Sequence, residues 1–209
     1  MPTIHPSSPH FASDLAGRVD AVLERTLAER RLVGAVVLVA QGGREVYRRA
    51  AGMADREPDH IPFLDGTAGF LLAPQRALDA AAYPSGGAGM VGSAGDFLRL
   101  LEALRQGGAP LLPAALVAEM ARNQIGDLPM AFWPGRGFGL GFTVLKDARA
   151  AATPESAGTW RMGGTYGHSW FVDPQRELSV VAFTNTALEG MSGPFVSELC
   201  DAVYGAAAQ

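Results

Sequence analysis

The chain has 209 residues, of which 48% are apolar and 18% charged, and a formal net charge of −4. That balance excludes a disordered chain, and the scatter of arginines among acids excludes the basic stripe that nucleic acid requires. The single cysteine, Cys200, excludes an intramolecular disulfide, and the longest apolar run, Ala35 to Ala40, is far too short to cross a bilayer.

In chain order, Met1 to Ala12 has neither the basic start nor the apolar core of a signal peptide, so a cytoplasmic protein is expected. Ser13 and Asp14 offer N-caps to a helix over about 15–31, whose Leu15, Val19, Val22, Leu23 and Leu27 share one face. Val33 to Ala40 is β-branched and apolar, a strand buried on both faces. Gly42 and Gly43 suit a tight hairpin turn, with the return strand at Glu45 to Ala51. Asp55 to His60 is polar and breaks the pattern. Ile61 to Leu72 is compatible with one irregular strand, Pro74 to Pro84 with loop or a short helical turn, and Ser85 to Gly92 is a glycine-dense loop.

Ser93, with Asp96 three residues on, resembles a capping box for a helix over about 94–106, ended by Gly107 and Gly108. Pro113 starts another helix running to about Asn123. Strands are expected at 137–146, 159–163, 167–172 and 178–185, and a last helix at 193–204. The expected fold is an α/β (α+β) sandwich. About five antiparallel strands make the sheet, and the N- and C-terminal helices flank it on one face.

The chemistry-bearing residues are few. The only lysine, Lys146, has Thr143 three positions before it, so no Ser-x-x-Lys exists in the chain. Residues three apart on a strand point to opposite faces, so Thr143 and Lys146 do not form a nucleophile–base pair. The same argument separates the adjacent His168 and Ser169. His168 is expected to be a hydrogen-bonded structural residue, while His5, His10 and His60 lie in loops too far apart in sequence to suggest a metal site. Cys200 reads as a small buried hydrophobe. Trp133, Trp160 and Trp170 read as core or pocket wall. No cofactor is expected.

The segment Thr159-Trp160-Arg161-Met162-Gly163-Gly164-Thr165-Tyr166-Gly167-His168-Ser169-Trp170-Phe171-Val172-Asp173-Pro174 resembles the third active-site motif of the serine β-lactamase and penicillin-binding-protein superfamily. Within it, the resemblance is to the β-lactamase-like (family VIII) carboxylesterases. Two blocks carry it. One spans about 13–58 and includes Arg31-Leu32-Val33-Gly34-Ala35-Val36 and Gly52-Met53-Ala54-Asp55-Arg56-Glu57. The other spans about 61–206 and includes Tyr83-Pro84-Ser85-Gly86-Gly87-Ala88-Gly89-Met90 and Thr184 to Pro194.

The resemblance implies a serine hydrolase acting on a small ester or a β-lactam. It also implies that a long insert of the family is missing here at Pro58-Asp59-His60. That insert holds Ser-x-x-Lys, Tyr-x-Asn or Tyr-x-Ser, and most of an all-helical lobe. The 209 residues are then one α/β domain without the lobe, a truncated relative expected to lack efficient catalysis. The alternative is a non-catalytic core or binding scaffold. By resemblance, Met162, Gly163, Gly164, Thr165 and Tyr166 form the remaining substrate wall, with the Thr165 backbone N–H as oxyanion donor. Met162 stands where the esterases have Trp. No nucleic-acid or membrane partner is expected. The surface bared by the missing lobe, with Phe63, Leu64, Phe70, Leu71 and Leu72 nearby, offers a homodimer contact, unless 61–72 folds back to cover it.

Overall fold

The computed structural model describes residues 9–53 and 92–206, with side chains from 14 onward. The expected features at Asp55–His60, Ile61–Leu72 and Pro74–Val91 lie outside the described residues, as does the join at Pro58. The first helix, α1, is Pro9–Ala28. Ser13 and Asp14 therefore lie inside it rather than at its start, and His10 is helical. Asp14 instead pairs with Arg18 one turn on, at 2.9 Å. The hairpin follows as β1 (Gly34–Gln41) and β2 (Arg44–Gly52), with Gly42 and Gly43 at φ 58° and 80° in its turn.

α2 (Ala94–Arg105) begins as its sequence implies: the Asp96 backbone N–H donates to Ser93 Oγ at 3.1 Å, and Ser93 Oγ donates to Asp96 Oδ2 at 2.7 Å. α3 (Ala114–Met120) follows Pro113. The single strand expected over 137–146 is two, β3 (Arg136–Phe138) and β4 (Thr143–Leu145). Gly139 N–H donates to the Phe142 carbonyl, and Gly141, at φ 105°, turns the chain where an L side chain would be strained. The remaining elements are β5 (Trp160–Gly164), β6 (His168–Asp173), β7 (Leu178–Thr184), α4 (Glu189–Ser192) and α5 (Pro194–Tyr204).

All seven described strands form one antiparallel sheet, ordered β2-β1-β7-β6-β5-β4-β3. Among the described residues the sheet thus has seven strands rather than about five: the sequence marks six extended stretches, and 137–146 folds as a hairpin. The N-terminal hairpin docks on the last strand, with Val37 opposite Ala182 and Leu38 opposite Val181. One face buries Leu15, Val19 and Leu23 of α1 and Phe195, Leu199 and Val203 of α5 against Val37, Val39 and Val180. Arg31 ties the two ends of this layer to Glu198 and Glu189, each at 2.8 Å. The opposite face packs α2 and α3 through Leu98, Leu101 and Val117 onto Leu38, Val172, Val181 and Trp160. Helices therefore cover both faces, whereas only the N- and C-terminal helices on one face were expected.

Candidate functional site

The five expected site residues occupy the end of β5 and its turn into β6. β4 pairs with β5 only at Trp160 and Arg161, through Val144 and Thr143. From Met162 to Gly164 that edge of β5 has no strand beside it among the described residues, while the other edge pairs with β6 as far as Gly164 opposite His168. An unpaired edge offers backbone donors and acceptors to an extended ligand. The Gly164 carbonyl serves the turn, accepting from Gly167 N–H at 2.9 Å, with Gly167 at φ 100°.

The two glycines have separate roles. A Cβ on Gly163 would meet the Met191 Cγ and carbonyl at 2.9 Å, so this glycine admits α4 against the sheet. Among the described residues, a Cβ on Gly164 would meet only His168 Cβ at 3.9 Å. Thr165 is half-buried and Tyr166 exposed at the tip.

On the α2 side of the sheet, Met162 lies opposite Trp170, and His168 opposite Phe183. Phe97 of α2 meets Trp170 edge-on at 5.8 Å and Phe183 at 5.7 Å. Trp170 is therefore a wall residue beside Met162, and Trp160 is core, stacked on Phe142 at 5.2 Å. Trp133 is partly exposed and stands in the wall of a surface cavity, the pocket-wall alternative. The His168 ring packs on Phe183 at 4.7 Å, and desolvation lowers its pKa, favouring neutral imidazole. Among the described residues, this ring contact is what holds His168 in place.

Ser169 is buried and faces away from His168, so the two form no dyad. Thr143 Oγ1 donates to the Arg161 carbonyl at 2.9 Å, whereas Lys146 Nζ reaches the Gly126 carbonyl at 3.1 Å and Asp127 at 3.2 Å. The lysine is thus spent on a surface loop. Cys200 is buried, and burial pushes its thiol up to about 12, which removes it as a nucleophile. No group of His, Cys, Asp and Glu suited to a metal occurs among the described residues.

A family model described as Beta-lactamase matches residues 64–198. The chain belongs to the beta-lactamase family. Esterase EstB of Burkholderia gladioli is 44% identical over 212 residues, covering 93% of this chain and 53% of the esterase. The chain thus spans about half the length of that curated relative. Among solved structures, EstCE1, a hydrolase with promiscuous acyltransferase activity, superposes with a TM-score of 0.80 at 27% identity, covering 93% of this chain and 99% of that one. A family VIII carboxylesterase gives a TM-score of 0.59 at 11% identity, a likeness of fold alone.

Sequence reasoning missed a second polar cluster, on the α5 side of the sheet. Arg136 and Arg161 flank the buried Glu155; Arg136 contacts Glu155 Oε2, and Arg161 Nη2 lies 3.0 Å from Oε1. Asp173 is fully buried nearby and accepts from Ser156, Gln175 and Arg176 backbone N–H groups and the Tyr204 hydroxyl. The signal available was a buried-strand pattern interrupted by Arg161.

Proposed function

We propose that this chain is the α/β part of an esterase-type serine hydrolase, with Met162, Gly163, Gly164, Thr165 and Tyr166 as its substrate wall and a small ester or β-lactam as its ligand. One observation carries the reading: among the described residues, no strand lies beside β5 from Met162 to Gly164, and a Cβ on Gly164 would meet only His168 Cβ. An acyl group lying along that edge would have the Thr165 backbone N–H near its carbonyl oxygen, the position an oxyanion donor needs. The similarity to EstB, named an esterase, and to EstCE1, named a hydrolase, supports the same substrate class.

Efficient turnover is not part of the proposal. A serine nucleophile needs a base within hydrogen-bond reach, and this sequence contains no Ser-x-x-Lys. We infer that the family's nucleophile-bearing segment is missing between the two blocks. The beginning of the family match at residue 64, past the N-terminal hairpin, supports this. So does the direct docking of β1 on β7, which needs no intervening lobe.

Activated-ester hydrolysis and labelling by a fluorophosphonate test both parts. We expect turnover of p-nitrophenyl butyrate several orders of magnitude below that of a complete serine esterase, and no stoichiometric adduct. Saturable, non-covalent binding of the ester product, weakened in Gly164→Val, would place the ligand on the β5 edge. A one-to-one adduct on a serine, lost when that serine becomes alanine, would overturn the inactive reading.

A further inference from the structure

The segment from Leu128 to Pro134 is apolar and uncharged throughout, and all of it but Met130 is exposed. Leu128 is 68% exposed and Phe132 90%. A continuous run of exposed apolar residues is costly in a chain that stands alone, and it marks a surface that a partner covers. The run is also held in shape. At its start the Gly126 carbonyl accepts from Asn123 Nδ2 at 2.6 Å and from Lys146 Nζ at 3.1 Å. At its end the Gly135 carbonyl accepts from the Lys146 and Asp147 backbone N–H groups at 2.8 and 2.9 Å. Within it, Trp133 N–H donates to the Met130 carbonyl at 3.0 Å. Leu128 to Pro134 is thus a preformed apolar arm, which loses little freedom on docking.

Beside the arm is a hole that fits it. Phe132 and Trp133 line an open cavity of about 1370 Å³, whose other walls come from α1, α5 and the end of β5. Val180, Met191 and Leu199 give it apolar surface, and Met162 and Thr165 of the expected substrate wall also line it. At 90% exposure, the Phe132 ring does not fill the cavity of its own chain. Arg136 and Arg161 stand in the walls too, and guanidinium planes stack well on aromatic rings, as Arg161 does on Phe171 at 5.3 Å. The cavity exceeds the roughly 300–1,000 Å³ that holds a drug-sized molecule, so two aromatic side chains enter without repacking the core.

We infer that the arm docks into a second copy of this chain, with Phe132 and Trp133 of each partner entering the cavity of the other about a two-fold axis. An apolar knob and its hole lie side by side on one surface, so a single rotation satisfies both. The assembly therefore closes at two chains instead of growing into a fibre. The area is sufficient. Leu128, Phe132 and Trp133 expose roughly 400 Å² of side chain, and two arms with the cavity walls they cover remove about 1,600 Å² from water, the size of a standard stable interface. A bilayer surface would take the arm but leave the cavity unmatched, whereas a second copy matches both. The partner's aromatic rings then stand beside Met162 and Thr165, so partner and ligand compete for one place. That consequence rests on the proposed substrate wall. The association does not, and it is measured without ligand, so the two fail separately.

The test is sedimentation of the full chain over a range of concentrations, beside Phe132→Ser. The wild-type chain is expected to pass from one to two copies as concentration rises, and Phe132→Ser to weaken that association by about tenfold or more. The urea midpoint of Phe132→Ser, read where both proteins are single chains, is expected to match wild type, because an exposed ring holds little of the fold. Benzoylphenylalanine in place of Phe132, in a mixture of ordinary and heavy-isotope chains, is expected to give mixed-isotope cross-links to peptides containing Met162–Thr165 or Met191–Val196. A wild-type chain that stays single at every concentration would overturn the inference. So would a dimer that Phe132→Ser leaves equally tight, cross-links confined to one chain, or binding to phosphatidylcholine vesicles through Phe132 without self-association.

Discussion

Gly163, Gly164 and Gly190 look alike in the sequence and differ in what their missing Cβ would touch. A Cβ on Gly190 would run into Thr184 Oγ1 and the Gly167 carbonyl, while one on Gly164 meets only His168 Cβ at 3.9 Å. Thr184 Oγ1 also donates to the Gly167 carbonyl at 2.8 Å, so no small shift relieves Gly190. Overpacking of this kind costs roughly 1–3 kcal/mol. Gly190→Ala is therefore expected to destabilise the protein by about 2 kcal/mol, and Gly164→Ala by less than about 0.5 kcal/mol, read as shifts in the urea midpoint. Equal effects would contradict the assignment of α4 packing to one glycine and an open face to the other. Asp173 is the polar counterpart: its carboxylate serves three backbone donors and the Tyr204 hydroxyl at once. Asp173→Ala is expected to cost about 3 kcal/mol, since every donor is left unpaired in a dry site.

Among elements, α2 is held by two contacts of different kinds. Its N-terminus is capped by Ser93, and removal of such a cap costs about 1 kcal/mol. Its middle is tied to β7 where Ser179 Oγ donates to Glu102 Oε1 at 2.6 Å, beside the Glu102–Arg105 pair at 2.9 Å. Burial alone would raise the Glu102 pKa, but the hydrogen bonds from Arg105 and Ser179 outweigh it and hold it below the usual 4.5. A carboxyl with a depressed folded pKa stabilises the protein above its unfolded pKa and loses that contribution as pH falls through the folded value. The wild-type chain is thus expected to lose stability below about pH 4.5, and Glu102→Gln to lose less over the same interval. Chemical denaturation at pH 7, 5 and 3.5 decides this; parallel losses in the two proteins would remove Glu102 from the account.

For the whole molecule, the decisive contact joins the chain's ends. β1 is paired on both sides, to β2 and to β7, and α1 packs on α5 beneath them. Unfolding is expected to be a single cooperative transition, with the slowest amide exchange in β1, β7 and β6. Early exchange of the β1–β2 hairpin, ahead of β6, would show two independent units instead. Association belongs at the same scale. The β5 edge, which no described strand covers from Met162 to Gly164, and the exposed Tyr166 beside it favour an antiparallel pairing of two chains. Light scattering is expected to give a mass about twice 21.9 kDa at high concentration, falling toward one chain when an ester product occupies the edge. A steady monomer at every concentration would exclude it.

Local signals in the sequence decided much of this architecture. The 3–4 spacing of Leu15, Val19 and Leu23, the apolar run into Ala40, Gly42–Gly43, and the Ser93–Asp96 box each name an element, because capping, turn geometry and one-sided burial act over a few residues. The motif around Gly163 and Gly164 named the family for the same reason: its residues are contiguous. The start of α1 was misread because Asp14 is as well suited to an (i, i+4) pair with Arg18 as to a cap. The strand over 137–146 was misread because Gly139 and Gly141 each tolerate either an extended or a turned backbone, and only β5 beside them chooses. What distinguishes Gly163 from Gly164, and what gathers Arg136, Glu155 and Arg161 into one buried cluster, is contact between segments far apart in the chain. Such contacts leave no local period, so only the tertiary structure decided them.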